Sequence, residues 1–115
     1  MVINPKDMKV EEVVHMRDGD GTVIKMTIAP AAPDMHQRLL GRFTIRKGCS
    51  IGKHEHKGEV EYYYILSGQG IVTEDDGEKI VNPGDVVITG WGQSNSIRKE
   101  KDEDLEFLAV INTEK

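Results

Sequence analysis

The stretch "HEHKGEVEYYYILSGQG", from His54 to Gly70, places two histidines one residue apart, then two glutamates, then an aromatic and aliphatic run closed by glycines. Extended backbone alternates its side chains between two faces, so His54 and His56 point to the same side. If a turn at residues 57–59 folds the chain back, Glu61 reaches that side as well. Two imidazole nitrogens and a carboxylate oxygen are typical ligands of a divalent transition-metal ion. The spacing alone leaves open an exposed histidine pair in a charged loop.

Short segments rich in β-branched residues make up most of the chain, and its twelve glycines and four prolines separate many of them. No segment has the period of an amphipathic helix, and the turn signals recur at roughly ten-residue intervals. This pattern predicts an all-β sandwich or barrel. The predicted strands are residues 11–16, 22–28, 39–48, 61–68, 69–74, 78–81, 85–89, 95–99 and 104–111.

Two of the predicted strands are apolar on both faces. They are "EYYYILSG" at residues 61–68 and "DLEFLAVI" at residues 104–111. A strand face that meets solvent is normally polar, so the second faces require cover from another sheet layer or another subunit. We therefore predict a homodimer.

Composition and charge restrict the class of partner. The 115 residues suit a single domain spanning 1–115. Fifteen lysines and arginines against twenty aspartates and glutamates give a net charge of −5, which argues against nucleic acid or an anionic membrane as a partner. Cys49 is the single cysteine and cannot form an intramolecular disulfide, which is typical of the reducing cytoplasm. No stretch reaches the length of a membrane span. We predict a soluble cytoplasmic protein.

The surroundings of the histidine pair form a longer pattern. Gly48, His54, His56, Glu61 and Gly68 together read G-x5-H-x-H-x4-E-x6-G, which resembles the first signature motif of the cupin family at every defining position. The resemblance implies a double-stranded β-helix, that is, a jelly-roll barrel, in which both histidines and the glutamate bind a metal ion.

A second stretch, "GDVVITGWGQSNSIRK", matches the second cupin motif only in part. With Gly92 aligned on the glycine of that motif, Gly90 stands at its proline, Lys99 at its asparagine and Asn95 at its histidine, the usual fourth ligand. Asn95 either binds the ion weakly through its carbonyl oxygen or lies just outside the ligand set. The remaining three ligands suit manganese or iron, and nickel or zinc stay open as alternatives.

The resemblance covers about residues 39–111, the expected barrel core. The strands within residues 10–28 would then complete a sheet or a dimer interface. Among cupins, the chain is most similar to small single-domain proteins described as oxalate-decarboxylase-like.

A divalent ion held by one carboxylate and two neutral histidines keeps a net positive charge and attracts a small anionic ligand. Arg42 and Arg46 alternate on the strand before the motif and would clamp that anion if they face inward. Tyr63 shares the parity of Glu61, and Trp91 occupies a turn at the expected barrel mouth. Each also has a structural interpretation: a solvated strand face for the arginines, a core position for Tyr63, and a rim or dimer contact for Trp91.

Two functions follow from a metal-binding cupin. The first is a metal-dependent lyase, isomerase or oxygenase that acts on a small carboxylated or enolisable molecule. The alternative is a non-catalytic, metal-dependent binding or sensor module for a small ligand. A third possibility is a metal-free barrel. Resemblance at the level of the fold does not choose among them.

Overall fold

Ten β-strands account for most of the chain in a computed structural model that describes residues 1–115. Between them lie only short turns of 3-10 helix, so the prediction of an all-β fold is confirmed. The strands are β1 Lys9–Val14, β2 Thr22–Thr27, β3 Gln37–Ile45, β4 Ser50–Glu55, β5 Glu59–Ser67, β6 Gly70–Glu74, β7 Gly77–Val81, β8 Val86–Gly90, β9 Ser94–Arg98 and β10 Leu105–Thr113.

The strands form two antiparallel sheets, as expected for a jelly-roll barrel. The larger has the order β1-β2-β3-β10-β5-β8, and the smaller has the order β4-β9-β6-β7. Consecutive strands β4 and β5 therefore belong to different sheets, and residues 56–58 cross from one sheet to the other. This crossing places the histidine-bearing strand opposite the strand that carries Glu61.

The hydrophobic core fills the space between the sheets. Strand β10 alternates strictly, and its inward residues Leu105, Phe107, Ala109 and Ile111 are at most 3% exposed. The ring of Phe107 stacks on that of Phe43 with centroids 5.5 Å apart and contacts that of Tyr63 at 4.4 Å. These side chains close one side of the polar cavity described below.

Strand β4 contains a β-bulge that decides where its histidines point. In its pairing with β9, Ile51 lies opposite Ile97, but His54 lies opposite Asn95, so β4 carries one extra residue between the two pairs. Strict alternation from the buried Ile51 would turn His54 and His56 outward. Because the bulge shifts the parity by one residue, both imidazoles face the barrel interior.

Gly52 lies at this bulge, where the turn between β1 and β2 packs against β4. A Cβ atom at Gly52 would lie 2.0 Å from the carbonyl oxygen of Arg17 and 2.8 Å from the backbone nitrogen of Gly19. Only a residue without a side chain permits this approach. The β1–β2 turn is thereby seated beside the histidines.

The outer face of the larger sheet remains apolar, as the sequence pattern predicts. Tyr62, Tyr64, Val86 and Ile88 lie on the neighbouring strands β5 and β8 and are between 36% and 52% exposed. No element of the chain covers them. The structure also contains no helix with the length and hydropathy needed to cross a membrane.

Candidate metal centre

Three acceptor atoms from the two sheets converge in the barrel interior. Glu61 Oε1 lies 3.2 Å from His56 Nε2 and 3.9 Å from His54 Nε2. All three ligand atoms lie within 4.8 Å of one another. Two ligands that each bind one ion at about 2.1 Å lie about 3.0–3.4 Å apart at octahedral or tetrahedral angles. The cluster therefore has nearly the dimensions of a metal site.

The hydrogen bonds of the two rings define their tautomers. Nδ1 of His54 donates to the carbonyl oxygen of Gly52 at 2.8 Å, and Nδ1 of His56 donates to Glu59 Oε1 at 3.0 Å. Both acceptors lack a proton, so each Nδ1 carries the hydrogen. In the neutral rings, the Nε2 lone pairs are therefore free and face Glu61.

The buried acceptors lack hydrogen-bond partners. His56 Nε2 and Glu61 Oε1 are both inaccessible to solvent and form no hydrogen bond. Two unprotonated acceptors 3.2 Å apart repel each other, and an unsatisfied buried polar atom is costly. A proton would relieve one pair of atoms, whereas a divalent cation satisfies all three together. The cluster of His54, His56 and Glu61 is thus compatible with a divalent metal ion.

Two further buried oxygens lie beside the cluster. Asn95 is the cross-strand partner of His54, and Thr89 is the cross-strand partner of Glu61. Directly paired residues place their Cβ atoms about 5 Å apart on the same face. Asn95 Oδ1 and Thr89 Oγ1 are buried without a hydrogen-bond partner. The structure therefore brings Asn95 to the cluster, where its carbonyl oxygen is free.

A cavity of about 140 Å³ opens at the cluster. Glu61 is the single carboxylate in its wall, against three cationic side chains, so the cavity favours an anion. Its lining comprises Met16, Arg17, Lys25, Arg38, Leu39, Phe43, His54, His56, Glu61, Tyr63 and Ile111.

Arg38 reaches this cavity because β3 also contains a bulge. In the pairing with β10, Ile111 lies opposite Leu39 and Asn112 lies opposite Gln37, so Arg38 is the extra residue. Its guanidinium donates two hydrogen bonds to one carboxylate, that of Glu59, at 2.9 and 3.0 Å.

Glu59 connects this arginine to the histidines. Burial tends to raise the pKa of Glu59, but hydrogen bonds from Arg38 and His56 outweigh it and lower the pKa below its ordinary value. The ionised carboxylate thereby fixes the orientation of the His56 ring, as carboxylates commonly do for metal-binding histidines.

Tyr63 lies in the cavity wall, where its parity places it. Burial raises the pKa of its phenol well above the ordinary value, and the negative charge of Glu61 raises the pKa further. The hydroxyl is therefore protonated at neutral pH, and it interacts with the Glu61 carboxylate.

The structure does not bring the other three predicted ligand-binding residues to the cavity. Arg42 lies on the outer face of β3, where it forms a 2.7 Å ion pair with Glu106. Arg46 is exposed on the same parity. Trp91 is 77% exposed and lines a separate outer groove. The inward parity of β3 belongs to Phe43 and its neighbours, so the two arginines point away from the site.

The cations that do line the cavity are Arg17, Lys25 and Arg38. Lys25 shares the parity of the buried Val23, and this signal was available in the sequence. Arg17 lies in a turn and Arg38 in a bulge, where alternation gives no guidance.

The chain belongs to the cupin family: the cupin domain matches residues 41–111. It is 39% identical over 113 residues to a protein of Thermotoga maritima named oxalate-binding protein, covering 96% of this chain and 93% of the relative.

Solved structures share the fold. A crystal structure of a predicted oxalate decarboxylase from Thermotoga maritima aligns with a TM-score of 0.92 at 37% identity, covering 98% of this chain and 99% of the other. The polyketide cyclase RemF of Streptomyces resistomycificus aligns with a TM-score of 0.78 at 18% identity, covering 100% and 80% of the two chains, and shows the fold alone.

Proposed function

We propose that the protein binds a divalent transition-metal ion through His54, His56 and Glu61, and that the bound ion binds a small carboxylate anion. The observation that carries the proposal is the convergence of three acceptors, two of them buried without any hydrogen-bond partner. When bound, the ion supplies a positively charged centre with open positions for anionic oxygen.

Asn95 is proposed as a weak fourth ligand through Oδ1. Its place opposite His54 and its unsatisfied buried oxygen support this role. Two nitrogen and two oxygen donors suit manganese or iron better than an all-imidazole set, because oxygen ligands favour the harder ions. Nickel and zinc are the alternatives to be tested in the same titration.

Oxalate represents the proposed ligand class. The cavity of about 140 Å³ admits only a small molecule, and its cationic lining selects an anion. The similar protein from Thermotoga maritima is named for oxalate binding. The lining cations offer charged hydrogen-bond donors to such a ligand.

The test is calorimetry of the purified protein with oxalate, before and after loading with Mn²⁺. We expect heat of binding only from the loaded protein. His56→Ala should lose both the metal, measured by elemental analysis, and the oxalate signal. His36→Asn is the matched control, because it removes an exposed histidine outside the cluster and asparagine tolerates its positive φ of 60°. Equal oxalate binding with and without metal, or full metal content in His56→Ala, would overturn the proposal.

Catalysis is the second candidate, as a metal-dependent lyase, isomerase or oxygenase acting on a small carboxylated or enolisable substrate. The set of three candidate ligands favours it, because it leaves coordination positions open for a substrate oxygen on a bound ion. Product analysis of the loaded protein after incubation with oxalate distinguishes turnover from binding.

We further propose a homodimer that works in the cytoplasm. The outer apolar face at Tyr62, Tyr64, Val86 and Ile88 supports the dimer, because a solvated sheet face is normally polar. The single Cys49, with no disulfide partner, supports the reducing compartment. Sedimentation equilibrium measures the association directly, and a monomer at all concentrations would contradict it.

A further inference from the structure

Two cationic side chains in the cavity wall have no anionic partner. Arg17 lies in the turn between β1 and β2, and Lys25 lies on β2. Neither side chain forms a hydrogen bond, and no carboxylate oxygen lies within 4.0 Å of either cationic group. Arg38, the third cation of the cavity, is already committed to Glu59 through two hydrogen bonds. Glu11, the cross-strand partner of Lys25, is paired with Lys9 at 3.8 Å, so Arg17 and Lys25 are the two cavity cations that form no ion pair.

The backbone holds Arg17 at the cavity. Its φ is +53°, and the neighbouring His15 and Asp18 also have positive φ, a conformation that is uncommon for arginine but better tolerated by histidine and aspartate. The turn is held by the hydrogen bond from His15 N to the carbonyl oxygen of Gly21, at 2.8 Å, and by its close seating on Gly52. Arg17 is presented by a defined turn that packs against the strand carrying His54 and His56.

The sheet holds Lys25. It pairs with Phe43 across β2 and β3, and its parity is that of the fully buried Val23. The side chain of Lys25 therefore lies on the inner face of the larger sheet and lines the same cavity. Lys25 is half-buried as a residue, and an anion that reaches its ammonium group would form a charge-assisted hydrogen bond with it.

We propose that Arg17 and Lys25 bind the carboxylate oxygens of the ligand that face away from the metal, so that the site selects a small dianion over a monoanion of the same shape. The inference rests on the proposed function and deepens it. The ion would balance one negative charge of the ligand, and the two cations of the cavity wall would balance the other.

The two halves of this recognition come from different parts of the chain. The matched cupin domain spans residues 41–111 and contains the three metal-ligand candidates. Arg17 and Lys25 precede it. Metal binding is thus a property of the family core, whereas dianion selectivity belongs to the N-terminal strands that extend the larger sheet.

Oxalate and oxamate provide the test, because oxamate has the same planar shape but a neutral amide in place of the second carboxylate. Calorimetry of the Mn²⁺-loaded protein would compare Arg17→Met and Lys25→Met with Arg46→Met, an exposed arginine outside the cavity. Each cavity variant should weaken oxalate binding by about 10- to 100-fold, the effect of losing a hydrogen bond to a charged group, and oxamate binding by less than about 3-fold. Metal content should stay at the wild-type level.

Arg17→Lys keeps the charge and should recover most of the oxalate affinity, which a merely structural role would not restore. Thermal unfolding checks that each variant is folded. Variants that keep the wild-type ratio of oxalate to oxamate affinity would overturn this inference alone, as would an equal loss for both ligands. A loaded wild-type protein that binds neither ligand would overturn the proposed function together with it.

Discussion

Replacing Gly52 with alanine tests how the β1–β2 turn and the β4 bulge together hold the site. The added Cβ would lie 2.0 Å from the carbonyl oxygen of Arg17, whereas an ordinary carbon–oxygen contact is about 3.3 Å. The atoms it meets first belong to the backbone of Arg17 and Gly19, so no rotamer change relieves the overlap. The turn and the strand must separate by about 1 Å.

The expected cost follows from this displacement. Overpacking at a tight contact destabilises a domain by about 1–3 kcal/mol. For a chain of this size that corresponds to a fall in Tm of roughly 3–12 °C, measured by circular dichroism on the metal-free protein. Gly41→Ala is the matched control, because its Cβ would meet nothing closer than 3.3 Å, and its Tm should change by a few degrees at most.

The same substitution should weaken metal binding. The carbonyl oxygen of Gly52 accepts the hydrogen of His54 Nδ1 and so orients the ring. Moving that carbonyl should lower Mn²⁺ affinity by about 10- to 100-fold, as for other changes to groups that orient a ligand. Competition with a chromophoric chelator measures this. If the Gly52→Ala variant had the same Tm and the same Mn²⁺ affinity as the Gly41→Ala variant, the proposed role of the bulge would be refuted.

Two further substitutions probe the cluster and the outer sheet. Asn95→His places an imidazole opposite His54 and should tighten Zn²⁺ or Ni²⁺ binding by at least about tenfold in the chelator assay, with a smaller gain for Mn²⁺; unchanged affinities would put position 95 outside the ligand set. Arg42 lowers the pKa of Glu106, so the pair stabilises the fold above the ordinary glutamate pKa and loses that effect as the pH falls through the lowered value. Glu106→Gln should therefore cost about 0.5–1 kcal/mol in urea denaturation at pH 7 and much less near pH 3; an equal cost at both pH values would exclude the ion pair as its cause.

The sequence predicts the membership of the cluster better than its orientation. The spacing of His54 and His56 requires that both rings share one face, because alternation is a local property of extended backbone. Which face they share depends on the extra residue in β4, and a bulge is defined by the pairing with β9, which lies far away in sequence. The motif from Gly48 to Gly68 supplies this missing information, because its resemblance to the cupin motif implies that both histidines and Glu61 face the barrel interior.

The arginines show where alternation fails. Arg42 and Arg46 were candidates because they alternate on the strand before the motif, but the inward parity of β3 is taken by its apolar residues. Arg38 has the same parity as Arg42 and still reaches the cavity, because the bulge against β10 turns it. Arg17 lies in a turn whose placement depends on a contact with β4. Long-range pairing, rather than local pattern, places these side chains.

The position of the cluster between the two sheets links metal binding to stability. His54 enters from β4 in the smaller sheet, His56 directly follows that strand, and Glu61 enters from β5 in the larger sheet. Glu61 Oε1 and His56 Nε2, 3.2 Å apart, lie where the two sheets face each other, and neither forms a hydrogen bond. An ion bound as proposed would join the two sheets, and because it would bind only the folded state it would stabilise the whole barrel. The polar residues that make the interior a poorer hydrophobic core are therefore the same residues that form the candidate binding site.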